Sequence, residues 1–165
     1  MSIEPRQPIP AAYQSFLYYD QQYKVLICKK CDEPQAVHKA GLARHLWRNH
    51  SLKKKQYKPM IDAIANLPIP NTLKDLPHIP DGLPHRHALP VIEGYACDLC
   101  HFWTGGSSAI FKHIKEHRVD RRHDGIAGFR LESLQTWYGG RDYWIMAKDG
   151  SGSRGRPEEP TQYLL

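Results

Sequence analysis

At 165 residues and a mean hydropathy of −0.61, the chain has the length of one ordinary domain, but its 13 prolines and 12 glycines interrupt any long periodic element. No run approaches the ~18 apolar residues that a membrane-spanning helix needs. The formal net charge of +6 and a pI near 9.2 favour acidic partners such as nucleic acid.

Residues 1–12 carry Pro5, Pro8 and Pro10 and are expected to be a disordered lead-in. Tyr13 to Tyr23 is rich in aromatics. With Val25-Leu26-Ile27 it reads as a short turn or helix running into a strand that delivers Cys28. Its aromatics are assigned to packing rather than to base stacking. Cys28, Cys31, His45 and His50 then give C-x2-C-x13-H-x4-H, a spacing that suits two thiolates and two imidazoles around one tetrahedral Zn2+. Lys39 to His50 reads as a helix in which Leu42 and Leu46 bracket His45. Gly41 weakens that helix by about 1 kcal/mol relative to Ala. The first unit, with its aromatic entry, is placed at residues 13–52.

A basic segment and a short amphipathic helix are expected at 53–67. The predicted helix starts at Pro59, a residue suited to a first turn, and puts Met60, Ile61, Ile64 and Leu67 on one side. Residues 68–92 contain Pro68, Pro70, Pro77, Pro80, Pro84 and Pro90. Proline fixes φ and removes a donor, so an extended, polyproline-like connector is expected. His78, His85 and His87 within it are read as exposed loop histidines.

The second unit, residues 93–122, has the cleaner motif. Cys97, Cys100, His113 and His117 form C-x2-C-x12-H-x3-H. His113 and His117 are one helical turn apart, so both rings leave one face, and Ile110 and Ile114 share it at helical spacing. Ser107 or Ser108 is expected to cap the helix start. Residues 123–146 follow as an aromatic β-hairpin: Phe129–Tyr138 alternates loosely, Gly139-Gly140 turns, and Tyr143–Met146 returns. Residues 147–165 are expected to be a flexible tail.

The two quartets use all four cysteines of the chain. A segment this small cannot bury enough apolar surface to fold alone. Zinc, at about 10–16 kcal/mol per site, supplies the deficit. A disulfide scaffold fits less well, because no apolar leader opens the chain and adjacent C-x2-C pairs suit a metal. The expected fold is a small, zinc-stabilised α+β protein. It has two separated ββα-like Cys2His2 fingers, a proline-rich connector and a C-terminal β-hairpin, and holds two Zn2+ ions.

Residues 38–58 carry seven Lys or Arg and no Asp or Glu. Lys39, Arg44, Arg48, Lys53, Lys54 and Lys55 belong to this segment. Lys112 and Lys115, with Arg118, Arg121 and Arg122, form a second basic group. These cations are the candidate nucleic-acid contacts. DNA-reading fingers contact bases from helix positions −1, 3 and 6, which here are His38, Gly41 and Arg44, and Gly106, Ala109 and Lys112. Small residues at position 3 read bases poorly. The 46 residues between His50 and Cys97 are also too many for tandem groove reading. Contact with phosphates, which needs only charge, remains. The alternative is a zinc-stabilised protein-interaction module presenting Trp137, Tyr138, Tyr143 and Trp144; packing explains the same aromatics.

An enzyme is disfavoured. A catalytic zinc keeps an open position, both quartets are complete, and no deaminase, phosphate-loop or nucleophile-elbow motif is present. No membrane and no small-molecule substrate are expected, and the chain is expected inside the cell, with the nucleus as the compartment a nucleic-acid role implies.

The pattern as a whole resembles a fungal family, the one named after protein D of the orsellinic acid biosynthesis cluster, a two-finger domain. The resemblance rests on Val25-Leu26-Ile27-Cys28 with Cys31, Leu42-Ala43-Arg44-His45-Leu46 with His50, Gly94-Tyr95 before Cys97 and Cys100, and Leu134-Gln135-Thr136-Trp137-Tyr138. It spans roughly residues 13–146. The family usually has two Phe where this chain has Trp137-Tyr138, a swap that keeps the aromatic role. The resemblance implies the fold and the zinc ligands, and the family name does not imply polyketide synthesis.

Overall fold

The computed structural model describes residues 7–119, 128–139 and 141–147. Its described elements form two antiparallel sheets with three α-helices packed on them. In the first sheet, β1 (Leu17–Asp20), β2 (Val25–Cys28) and β3 (Gln35–Val37) lie in chain order. The central strand is buried at all four positions, which is why Val25-Leu26-Ile27-Cys28 is a continuous apolar run and not an alternation. Asp20 turns β1 into β2. Its Oδ1 accepts the backbone N–H groups of Gln22 and Tyr23, both at 3.0 Å, and Lys24 takes a left-handed φ of 57°.

Helix α1 (Leu42–His50) enters through a 3-10 turn at Lys39–Gly41. The Gly41 N–H donates to His38 Nδ1 at 3.1 Å. A Cβ on Gly41 would stand 2.5 Å from the His38 ring, so the residue that weakens the helix also makes room for its cap. Helix α2 spans Lys54–Ala63 instead of starting at Pro59. Gln56 Oε1 accepts the Lys53 backbone N–H at 2.8 Å, and this contact starts the helix one turn earlier, leaving Pro59 inside it. Met60 and Ile64 are buried against Leu42 and Leu46, with Ile61 and Leu67 packed around them, as the predicted stripe requires.

The expected disordered lead-in is corrected for its described part. Ile9 is 1% exposed in the core of the first sheet, and Gln7 Oε1 accepts the Tyr19 N–H at 2.9 Å. One isoleucine among the prolines is enough to hold the segment down. Residues 1–6 of the lead-in lie outside the described residues.

The second sheet has the order β5-β4-β6-β7, with β4 Ile92–Cys97, β5 Trp103–Thr104, β6 Phe129–Tyr138 and β7 Arg141–Ile145. The expected hairpin of β6 and β7 is present, paired from Leu134↔Ile145 to Tyr138↔Arg141. It does not stand alone: β6 also pairs along β4 from Ile92↔Leu134 to Cys97↔Phe129. Gly94 permits this, because a Cβ there would meet Leu134 Cδ1 at 2.3 Å and the Thr104 carbonyl oxygen at 2.9 Å. Helix α3 (Ser107–Val119) covers the β4–β5 end. Ser107 and Ser108 stand within its first turn, and the side-chain oxygen at its entry is Thr104 Oγ1, which accepts the Gly106 N–H at 3.2 Å.

The two units are not separate. A core that contains no metal-ligand group joins them: Val25, Ile27 and Ala36 of the first sheet, Ile79 and Leu89 of the connector, and Trp137 and Trp144 of the second sheet are all buried together. The connector is therefore a packed layer, because the apolar residues between its prolines anchor it. Gln135, 0% exposed, clamps it: Oε1 accepts the Arg86 N–H at 2.6 Å, and Nε2 donates to the Arg86 and Leu89 carbonyls, each at 3.0 Å. Trp137 Nε1 donates to the Pro77 carbonyl at 2.8 Å. Leu83 bridges in parallel to Met146. Apart from Ala147, the expected tail lies outside the described residues, as do residues 123–127 and Gly140. Among the described residues no helix is long and apolar enough to cross a membrane.

Candidate metal centres

Two side-chain quartets are assembled by these elements. Cys28, at the end of β2, and Cys31, in the β2–β3 turn, face His45 and His50 of α1. Cys97, at the end of β4, and Cys100, in the β4–β5 turn, face His113 and His117 of α3. In each quartet the ligand atoms all lie within 4.8 Å of one another, and the four cysteines are free thiols.

In the first quartet Cys28 Sγ is 3.2 Å from His50 Nε2, and Cys31 Sγ is 3.4 Å from His45 Nε2 and 3.6 Å from His50 Nε2. In the second, Cys100 Sγ is 3.1 Å from His113 Nε2 and 3.4 Å from His117 Nε2, and the two Nε2 atoms are 3.0 Å apart. A tetrahedron built with Zn–S of about 2.3 Å and Zn–N of about 2.0–2.1 Å has S···N edges near ~3.5 Å and N···N edges near ~3.3 Å. Both donor sets therefore fit a small tetrahedral cation, and each can hold one metal ion.

His45 and His50 are five residues apart, which in a regular helix would leave them on different faces. The end of α1 resolves this. Ser51 adopts a left-handed φ of 54°, its N–H reaches back to the Leu46 carbonyl, and the Leu52 N–H reaches the same oxygen at 3.2 Å. Around that widened last turn the His45 and His50 rings come to 5.2 Å between centroids.

Burial sets the protonation of the bare sites. It pushes the Cys28 thiol up to about 12 and raises Cys100. It also lowers His45, His50 and His113, helped at His45 by His50 and at His113 by His117. Buried surroundings thus favour neutral thiols and neutral imidazoles, and thiolates need a cation between them.

Several supporting residues were not singled out from the sequence. Asn49, one helical turn after His45, places its amide 3.1 Å from His45 Nδ1. The facing atom is Nδ2; with Nε2 on a metal, Nδ1 would carry a proton, and the amide would turn its oxygen to accept a hydrogen bond from Nδ1–H. Gln35 Nε2 donates to Cys31 Sγ at 3.6 Å, and the Leu99 N–H donates to Cys97 Sγ at 3.4 Å. Phe102 stacks on His113 with centroids 4.0 Å apart, and Phe16 meets His50 edge-on at 6.1 Å. An amide four residues from a His ligand, and an aromatic two residues after a Cys ligand, were the available signals.

The eight candidate cations, Lys39, Arg44, Arg48, Lys53, Lys54, Lys55, Lys112 and Lys115, are all exposed. Lys39 Nζ donates to the Ala65 carbonyl at 3.2 Å. Arg44 and Arg48 share one face of α1, and Lys53 to Lys55 stand at the start of α2. Lys112 and Lys115 lie on α3, apart from that group. The Arg118 side chain, Arg121 and Arg122 lie outside what is described. Of the four aromatics proposed for an interface, Trp137 and Trp144 are buried, Tyr143 is half-buried and Tyr138 is exposed.

A family model described as orsellinic acid/F9775 biosynthesis cluster protein D matches residues 15–119, a span that includes both quartets. No curated protein and no solved structure matches the chain.

Proposed function

The chain belongs to the orsellinic acid/F9775 biosynthesis cluster protein D family, and from that premise we propose that it is a non-enzymatic protein with two Cys2His2 zinc fingers that binds nucleic acid through phosphates. Zinc is the ion that suits two thiolates and two imidazoles in tetrahedral array. Four protein ligands leave no open coordination position, so the ions stabilise the fold instead of performing chemistry.

The observation that carries the nucleic-acid reading is a set of exposed cations on α1 and at the start of α2. Arg44, Arg48, Lys53, Lys54 and Lys55 are exposed, and no carboxylate among the described residues pairs with any of them. Cations left without partners favour a polyanion, and each phosphate neutralised releases counterions. Base reading is not part of the proposal, since Gly41 and Ala109 hold the central reading positions. A nuclear, intracellular location accords with this role. The competing reading, a protein-interaction module, retains Tyr138 and Tyr143 but has lost its two tryptophans to the interior.

The test is a salt series with a labelled DNA duplex. Affinity should fall with a log–log slope of about −0.9 per phosphate contacted, vary little with sequence, and weaken when Lys53, Lys54 and Lys55 are replaced together by Ala. Absence of binding at low salt would overturn it.

A further inference from the structure

Two of the surface cavities differ in charge. A 700 Å3 cleft between the two sheets is lined by Asp32, Glu33 and Glu93, with Lys30 the only Lys or Arg among the described residues of its wall. Against α1 lies a 380 Å3 groove of opposite character, with Arg44, Arg48 and His38 in its wall and no carboxylate among the described residues lining it. Gly41, Arg44, His45 and Arg48, which line it, follow the i, i+3, i+4, i+7 spacing of a single helix face. Its other wall is Leu73 and Tyr138. The same two residues wall a neighbouring 610 Å3 cavity, which continues past Lys74 and His78 to Asp142. Asp142, next to Arg141, the cross-strand partner of Tyr138, is the one carboxylate among the described residues that line either cavity.

Tyr138 sits where these cavities meet. It is 43% exposed, whereas its neighbour Trp137 is 3% exposed in the shared core. Leu73, beside it, is 37% exposed. An uncovered aromatic and an uncovered leucine on one wall, with two arginines without ion-pair partners on the facing wall, make a flat apolar surface within reach of fixed positive charge. A duplex offers its phosphates to such a groove but keeps its base faces stacked inside. A single strand offers both, phosphates to cations and an unstacked base to a ring.

We propose that this groove binds single-stranded nucleic acid, with a base stacked on Tyr138 and the flanking phosphates on Arg44 and Arg48. The inference rests on the phosphate-binding reading above and adds the form of nucleic acid and the residue that selects it. Trp47, 59% exposed, is the obvious rival platform, but it lies one step around α1 and lines neither cavity.

The experiment compares the zinc-loaded chain with its Tyr138→Leu and Arg44→Gln/Arg48→Gln variants. Probes are a labelled oligothymidylate of about 15 nucleotides, the matching oligouridylate, and a duplex of the same length, at low salt. The single strands should bind at least about tenfold tighter than the duplex. Tyr138→Leu should weaken the single strands about tenfold while leaving the duplex unchanged, as expected for one lost base stack. The double arginine variant should weaken all three. A 5-bromouracil-substituted strand irradiated on the native protein should cross-link within the peptide containing Tyr138, a positive readout that does not depend on how a variant folds. Equal affinity for strand and duplex, or cross-linking at Trp47, would overturn the groove and leave phosphate binding standing. Failure of all three probes to bind would overturn both. The thymidylate and uridylate arms show whether the 2′-hydroxyl adds affinity, and a preference for either over the duplex supports the groove.

Discussion

The two metal units have the same ligand set but different supports. The first rests on a large core: Ile9, Leu17, Tyr19, Leu26, Val37, Leu42, Leu46, Met60 and Ile64 are buried with Cys28. Among the described residues the second has Ile110 and Ile114 buried with Cys97, under Tyr95, Phe102 and Phe129, and its Cys100 is exposed. Apolar burial and metal binding both offset conformational entropy, so a unit with little of one depends more on the other. The second unit would thus depend mainly on a bound ion and on β6, while the first has a core that would persist without a metal.

The largest expected effect breaks that comparison directly. Cys97→Ser and Cys28→Ser should each lower bound zinc from two ions to one, removing a site worth about 10–16 kcal/mol of binding energy. In Cys97→Ser the segment 92–119 should become protease-sensitive. In Cys28→Ser, β1 and β2 should stay protected by their core. Equal sensitivity of the two regions, followed by limited proteolysis and mass spectrometry, would show that the cores do not differ in the way described.

A smaller effect sharpens it. Leu42→Ala and Ile110→Ala should each cost about 2–5 kcal/mol in denaturant unfolding. With zinc bound at both sites, Ile110→Ala should also speed release of one ion to a chelator, because Ile110 packs directly with Cys97. Leu42→Ala should leave that release unchanged. Release affected equally by both changes would mean that the shared core couples the sites tightly.

Acid gives the smallest and most graded effect. His45, His50 and His113 are held below their ordinary value of 6.5, so the metal-free folded state binds fewer protons there than the unfolded state does. Their contribution is fully present above about pH 6.5 and is lost as pH falls through the lowered folded values. Two of these imidazoles are in the first unit and one in the second. Metal-free protein should therefore lose protection around β1–α1 on acidification below pH 6.5, as followed by hydrogen exchange, whereas α3, lacking its ion, should already be open above that pH.

Local patterns were legible in the sequence and non-local ones were not. Both quartets, the Leu42/Leu46 and Ile110/Ile114 stripes and the β6–β7 hairpin are written in spacings of a few residues. Strand β1 was hidden because Leu17 and Tyr19 enter one core while Tyr18 packs against another, which erases the alternation of a half-buried strand. The start of α2 was masked by Pro59, although Gln56 three residues after Lys53 carried the capping signal. The role of Ile79 and Leu89 depends on Trp137 and Trp144, far away in the sequence, so the connector read as extended. Nothing in the local spacing marks Gln135, whose amide finds its three partners in the packed connector.

The placement of β6 has a further consequence, for aggregation. At ten residues it is the longest strand, and it lies inside its sheet with β4 along its first part and β7 along its second. The strands at the margins are short: two residues in β5, three in β3, four in β1, and five in β7, where Leu83 bridges the residue after it. Short or covered edges give other chains little to pair with. Phe129–Tyr138 is different in kind. It is rich in aromatic and β-favouring residues, has no proline, and its one Arg and one Glu cancel, the composition of a segment that self-associates when bared. If the β4 hairpin unravels on losing its ion, one side of β6 from Phe129 to Leu134 is uncovered. Metal at the second site is therefore expected to act as a solubility switch, and chelation should produce β-rich aggregates instead of dispersed unfolded chains.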